Sequence, residues 1–269
     1  MQKNLIMLNN IFFYFAIYSF LGWCVESIYK TILEKKFINS GFLYGPFCPI
    51  YGFGAVIIIL LLKKLPQNIF FIFFMSMFLL TIWEYIVGVL LEKIFKTKYW
   101  DYSDLKFNIN GRVCLKNSIY WGILGVVFAF IIHPFIQKIV NMISVETLFH
   151  INIAIYIFLL TDVVITVNRI LFIDEKIQQL YEITDKIKEK INELKQSEGL
   201  EKGAIQNMKV VISELKEQQA ILKIKIYKLI IRLKKAFPTM QQSETISKFI
   251  EQKIDLKSLK NKIRKNKGE

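Results

Sequence analysis

The sequence predicts an all-α protein: a polytopic membrane helix bundle of about five spans, followed by a cytoplasmic antiparallel coiled-coil hairpin. Three observations carry this. The chain of 269 residues is 54% hydrophobic, yet its formal net charge is +14. Its Phe, Ile and Leu crowd into the first two thirds, whereas Lys and Glu crowd into the last. The apolar part breaks into runs of membrane-spanning size, while the polar part keeps heptad spacing. Such segregation describes a membrane domain with a water-facing extension, not one globular core.

A hydrocarbon slab about 30 Å thick needs roughly 20 apolar helical residues. Spans are expected over Ile11–Leu33, Ile50–Leu62, Ile69–Leu91, Ser118–Ile136 and Leu148–Leu171, all within a transmembrane domain of residues 1–171. The first run carries Trp23 and Glu26 where a signal peptide would show a small-residue cleavage site, so it is expected to be retained. Lys and Arg in short loops set orientation. The loop after the first span holds Lys30, Lys35 and Lys36, and that after the third holds Lys93, Lys96, Lys98, Lys106, Arg112 and Lys116. The other side has Lys3, Lys63, Lys64 and Lys138. The expected location is therefore the cell membrane, with the N-terminus outside and the C-terminus cytoplasmic. Cys24, Cys48 and Cys114 fall near the cytoplasmic half, and their odd number favours reduced, structural thiols.

The first four spans read as two copies of one unit. Glu26 is followed by Glu34-Lys35 and Phe37, and Glu84 by Glu92-Lys93 and Phe95. Each acid lies just past a tryptophan, Trp23 or Trp83. Gly41 leads to Tyr51-Gly52 as Gly111 leads to Trp121-Gly122, and the offset between copies grows from 58 to 70. A parallel repeat with a longer second loop is expected.

Beyond the fifth span, residues 172–236 suit a hairpin. Ile173, Ile177, Leu180, Ile187, Ile191 and Leu194 form one seam, with Thr184 in it; Met208, Ile212, Leu215, Leu222, Ile226, Leu229 and Leu233 form the other, with Gln219 in it. A break from Gly199 to Gly203 separates them, and Pro238 follows. Residues 237–269 read as a basic amphipathic or flexible tail: Ile246, Phe249, Ile250 and Ile254 precede Lys257, Lys260, Lys262, Arg264, Lys265 and Lys267. Anionic lipid would attract that charge at about 1 kcal/mol per residue. No recognition motif accompanies it, so no nucleic-acid partner is expected. The hairpin would self-associate or take a coiled-coil partner.

Charges inside spans are costly and therefore informative, at roughly 2.5–3.5 kcal/mol or more each. Glu26, Glu84 and Asp162 fall at one depth and are candidates either for a polar path or for locking the bundle, with Arg169 as a partner. The segment 39–54 holds four glycines and two prolines among aromatics. No regular helix runs through Gly45-Pro46 or Cys48-Pro49. Asn39, Gly41, Gly45, Pro46, Pro49, Tyr51 and Gly52 thus mark a candidate re-entrant loop with polar backbone aimed at a ligand, or else a tight interfacial turn. In the loop after the third span, Trp100, Asp101 and Tyr102 suit the interface, Asn108 and Gly111 flank a turn, and Arg112 would pair with Asp101 or with an acid of the bundle.

No G-x-x-x-x-G-K-[ST] loop, H-E-x-x-H motif or Cys/His cluster is present, and no nucleophile has a catalytic context. No enzyme activity, cofactor, metal or catalytic residue is expected. The membrane part resembles a bacterial family of multi-span proteins labelled putative ABC-transporter type IV, or putative ABC transporter permease. The resemblance rests on Phe20-Leu-Gly-Trp-Cys-Val-Glu26, the motif from Asn39 to Gly52, Trp83-Glu84, and Trp100-Asp-Tyr-Ser103 leading to Asn108-Ile-Asn-Gly-Arg112. Ser40 departs from the expected Asn-Arg-Gly-Phe pattern. The resemblance covers residues 11–136 and, more loosely, the fifth span. It implies a permease subunit in the lipid bilayer, moving an unidentified solute with a separate ATPase. The alternative is a membrane-anchored scaffold that presents the coiled coil.

Overall fold

The computed structural model describes residues 2–62, 66, 68–196, 202–241 and 243–251. Lys63, Lys64, Ile254, the basic run from Lys257 to Lys267 and most of the Gly199–Gly203 break lie outside the described residues. The chain forms two compact units. One contains residues 1–168 and 234–241, the other residues 169–233 and 242–269.

The first unit is built from helices α1 (Gln2–Glu34), α2 (Pro49–Leu62), α3 (Ile69–Phe95), α4 (Leu115–Val127), α5 (His133–Asn141) and α6 (Val145–Leu171). A wide π-helical turn, Phe128–Ile132, fuses α4 to α5. Pro134 lacks the N–H that would close an ordinary turn there, which accounts for the widening. Among the described residues four helical stretches are long and apolar enough to cross a membrane: Ile6–Glu34, Ile69–Phe95, Leu115–Asn141 and Val145–Leu171. Helix α2 has 14 residues. At 1.5 Å per residue it reaches about 21 Å, short of a full hydrocarbon slab. Helix α3 shows how these helices are solvated. Ile72, Ser76, Leu80 and Glu84 are buried along one face, while Phe70, Phe74, Phe78, Ile82, Ile86, Leu90 and Ile94 are exposed along the opposite one. An apolar stripe of that length suits lipid rather than water.

Helix α2 packs on α1 and α4 on α3, and the two pairs repeat one another contact by contact. A Cβ on Gly52 would run into the carbonyl of Phe15, and one on Gly122 would run into the ring of Phe73. Tyr51 bonds Glu26, and Trp121 bonds Glu84. The Ser40 N–H donates to Ser27, and the Asn110 side chain donates to Tyr85. In every case the first-helix partner shifts by 58 and the second by 70, matching the offsets read from the sequence. Helices α1 and α3 even stop alike, at Lys35 and Lys96, each with φ of 50° in the left-handed region.

The two inter-helix loops meet at one end of this unit. Phe42 lies 5.2 Å from the Phe95 ring and 5.5 Å from that of Tyr99. The returning segment 234–241 joins them there. Lys98 and Gln241 exchange both backbone hydrogen bonds, at 3.2 and 2.8 Å, and Phe237 packs edge-on to Tyr99 at 5.0 Å. A short ribbon, β1 (Asn108–Ile109) with β2 (Val113–Cys114), closes over Asn110 and Gly111, whose positive φ values of 52° and 65° produce the expected turn.

The second unit contains helices α7 (Ile173–Lys195), α8 (Lys202–Ala236, whose last residues belong to the first unit) and α9 (Glu244–Glu251). Ile173, Ile177 and Leu180 share a core with Ile226 and Ile230, and Ile246 and Phe249 of α9 complete it. Phe249 is wholly buried, so the segment expected to be part of a basic amphipathic or flexible tail supplies a core residue. Thr184 and Gln219, the polar members of the two seams, bond each other at 2.7 Å. Pairing them satisfies both groups inside the interface, where an orphan would cost about 1–3 kcal/mol.

Candidate functional site

The site begins with Glu84 on the buried face of α3, where its side chain is 5% exposed. Its carboxylate accepts from Trp121 Nε1 at 2.8 Å and from the Tyr102 hydroxyl at 3.2 Å. An indole N–H can only donate, so this contact holds one carboxyl oxygen of Glu84 as an acceptor. No Lys or Arg among the described residues lies within salt-bridge distance of it. Glu26 differs. It accepts from the Tyr51 hydroxyl at 2.7 Å, and Lys30 one turn later pairs with it at 3.0 Å. Lys30 also donates to the Ala236 carbonyl at 2.6 Å and sits 5.8 Å above the Phe237 ring.

The rings of Tyr51 and Trp121 touch, with centroids 5.6 Å apart, so the two repeats bring their acids to a shared aromatic pair. Beside that pair lies a cavity of about 120 Å³ whose walls include Tyr18, Ile58, Trp83 and Phe128. The polar end of each aromatic wall is already engaged. Tyr18 bonds His133 Nδ1 at 2.9 Å, and Trp83 Nε1 donates to the Ile50 carbonyl at 3.0 Å. The cavity is left with aliphatic groups and ring faces. Phe128 and Ile132, both cavity residues, come from the ends of the π-helical turn.

Asp162 does not join the other two acids. Its carboxylate accepts the N–H groups of Tyr44 and Gly45 at 3.0 and 2.7 Å, and the Thr166 hydroxyl at 3.1 Å. The polar backbone of the Gly/Pro segment is thus aimed at an acid of α6. A Cβ at Gly45 would come within 2.9 Å of Asp162 Oδ2, so glycine permits the approach. Asn39 ties the same loop to α1. It accepts from Trp23 Nε1 at 2.6 Å and donates to the Tyr44 carbonyl at 2.7 Å. Gly41 turns with φ of 99°, Pro46 lies within the loop, and Pro49 opens α2 at the position that needs no N–H. Ser40 is fully buried. Arg169 is exposed in the last turn of α6 and belongs to the second unit.

In the longer loop, Trp100 Nε1 donates to the Arg112 carbonyl at 2.8 Å, and the Tyr102 N–H donates to that of Gly111 at 2.8 Å. Arg112 pairs with Glu92 at 2.8 Å and faces the Tyr85 ring. That corrects the expectation of Asp101 or a bundle acid: Glu92 sits at the end of α3 beside the ribbon, where no buried charge has to be matched. Asp101 instead takes Lys98 at 2.7 Å, Ser103 and the side chain of Gln241. Asn108 caps the loop through the carbonyls of Ser103 and Leu105. The hydrogen bond with Lys98 holds the Asp101 carboxyl below its usual range. Burial and the nearby Glu84 push the Tyr102 phenol well up. The three cysteines are free thiols.

Lys30 was legible only as a loop charge, though its spacing of four from Glu26 marks a helical pair. The partnership of segment 236–241 with the loops had no sequence signal, because most of it runs through backbone groups. The family model described as Putative ABC-transporter type IV matches residues 13–167. That stretch contains both repeats, the Gly/Pro loop and Asp162. No curated protein matches the chain, and no solved structure matches it.

Proposed function

Because the chain belongs to the putative ABC-transporter type IV family, we propose that this multi-pass membrane protein is a permease-like subunit that moves a solute with a separate ATPase. The observation that carries the proposal is Glu84. An acid buried in a span and held by neutral donors, with no cationic partner among the described residues, is costly to keep there. In membrane spans such a group marks an ion or solute path. In this reading Glu84 and Glu26 line the path through Tyr51 and Trp121. Asp162 takes the bundle-locking role instead and pins the loop of Asn39, Gly41, Gly45, Pro46 and Pro49, while Arg169 lies outside both roles.

The proposal takes α2 with its non-helical approach as a fifth, broken crossing. Both Lys-rich loops then face the cytoplasm of a cell-membrane protein whose N-terminus is outside. Labelling single cysteines at Asn39 and Val145 from either side tests this, and equal access from one side would refute it. The protein acts as a carrier and not as an enzyme. Affinity purification from native membranes should return an ATPase subunit. Glu84→Gln should abolish the solute phenotype, and normal uptake by a folded variant would end the path reading.

The second reading is a scaffold, favoured by the polar Thr184–Gln219 layer, which suits a specified helical pairing. There the coiled-coil hairpin meets a partner or a second copy, and the basic tail meets anionic lipid. Replacing residues 174–233 by a flexible linker, with 234–241 kept, separates the two. A permease retains its phenotype, while a scaffold loses it.

A further inference from the structure

We infer that residues 236–241 are a control strap for the two repeat acids: docked, they fix both the group that partners Glu26 and a group that partners Glu84. On one side the Ala236 carbonyl takes the Lys30 ammonium at 2.6 Å, and the Phe237 ring lies 5.8 Å from the same nitrogen. Lys30 is the cation paired with Glu26 at 3.0 Å. A lysine stem is flexible and its ammonium carries three donors, so a second acceptor is what holds it in one place beside the acid. On the other side the Asp101 N–H donates to the Thr239 hydroxyl at 3.2 Å, and the Asp101 carboxylate accepts from the Gln241 side chain. The next residue is Tyr102, whose hydroxyl donates to Glu84 at 3.2 Å. Fixing Asp101 therefore fixes the peptide from which that donor is aimed.

The make-up of the strap separates this positioning role from plain packing. Ala236 and Met240 are buried and seat it. Thr239 and Gln241 are exposed and add little burial, yet the side chains of both go to Asp101. The chain leaves the second unit after residue 233 and returns to it at residue 242. A force on those two ends thus reaches both acids through a few residues. The inference rests on the permease-like reading only in taking Glu26 and Glu84 as the working groups.

The test is the rate of dicyclohexylcarbodiimide labelling at Glu26, Glu84 and Asp162, read by peptide mass spectrometry on the full-length protein in nanodiscs. In the native chain Glu84 should react slowly, since it is 5% exposed and both its oxygens are covered by donors. Asp162 is the control, because its partners Tyr44, Gly45 and Thr166 lie outside the strap. Thr239→Val with Gln241→Leu should speed labelling of Glu84 about tenfold, the weight of two lost hydrogen bonds, and leave Glu26 and Asp162 unchanged. Replacing residues 236–241 by a Gly/Ser stretch of equal length should speed Glu26 and Glu84 together and still spare Asp162. Thr239→Ser, which keeps the hydroxyl, should label like the native chain. Faster labelling of all three acids would mean general loosening and overturns the inference, as does an unchanged Glu84 rate in Thr239→Val with Gln241→Leu. If the labelling follows the expected pattern while the same variants keep a full solute phenotype, the strap stands and the permease reading fails.

Discussion

Glu26 and Glu84 occupy equivalent places in two copies of one unit, yet only one has a lysine partner. The difference is local. Lys30 stands one turn beyond Glu26, whereas Gly88 stands one turn beyond Glu84. Removing the Glu84 carboxylate would leave the Trp121 N–H and the Tyr102 hydroxyl without their acceptor, and orphaned donors cost about 1–3 kcal/mol each. Glu84→Ala should therefore lower stability by roughly 3 kcal/mol and Trp121→Phe by about 1 kcal/mol. Thermal unfolding in detergent reads both, and equal melting temperatures would mean that the network contributes nothing. Asp162 makes a separate prediction. With its carboxylate gone, the N–H groups of Tyr44 and Gly45 lose their acceptor and the loop loosens around Cys48, which is 5% exposed. In a background with Cys24 and Cys114 changed to Ser, Asp162→Ala should turn Cys48 from maleimide-resistant to reactive. All three acids were visible in the sequence as charges among apolar residues. What Asp162 binds was not, because backbone N–H groups some 117 residues away carry no residue-type signature.

At the scale of elements, the helix pairs depend on close contact at glycine. Gly52 lies against the Phe15 carbonyl and the Ser19 hydroxyl, and Gly122 against the ring of Phe73. A ring can rotate aside more readily than a backbone carbonyl in a long helix. Gly52→Ala should thus cost about 2–3 kcal/mol and Gly122→Ala less than half of that, measured as loss of folded protein on heating. The reverse order would mean that the two pairs do not pack alike. Most of this element-level organisation was legible. Run lengths gave most helix ends to within about five residues, except that α1 begins at Gln2 and not near Ile11, and the paired offsets of 58 and 70 recur in the contacts of the two helix pairs. The exact role of the second run was not legible, since apolar composition does not distinguish a short helix from a complete crossing. Nor was the π-helical turn, whose cause, Pro134, also permits a simple kink.

For the molecule as a whole, residues 234–241 are the component that composition concealed. They look like the end of a polar helix, yet they lie with the first unit, fastened through Lys98, Asp101 and Lys30. The pH dependence follows from Asp101. Its carboxyl titrates below the usual range because Lys98 hydrogen-bonds the charged form. A depressed value in the folded state means that the contribution is fully present above the ordinary carboxylate range, near pH 4, and is lost as pH falls through the lowered value. Amide exchange of residues 237–241, corrected for intrinsic rate, should stay protected at pH 5 and lose protection toward pH 3. Protection unchanged at pH 3 would show that Asp101 is not the fastening. This segment also sets an order of events during synthesis. Gln241 follows Asp101 by 140 residues, so a ribosome adding about 5–20 residues per second delivers it on the order of ten seconds later. For that interval Lys30 lacks the Ala236 carbonyl and the longer loop lacks its backbone partner. The membrane helices can be inserted early, but the end where their loops meet is finished only after residue 241 has been made, so a nascent chain cut short before residue 236 is released without its latch.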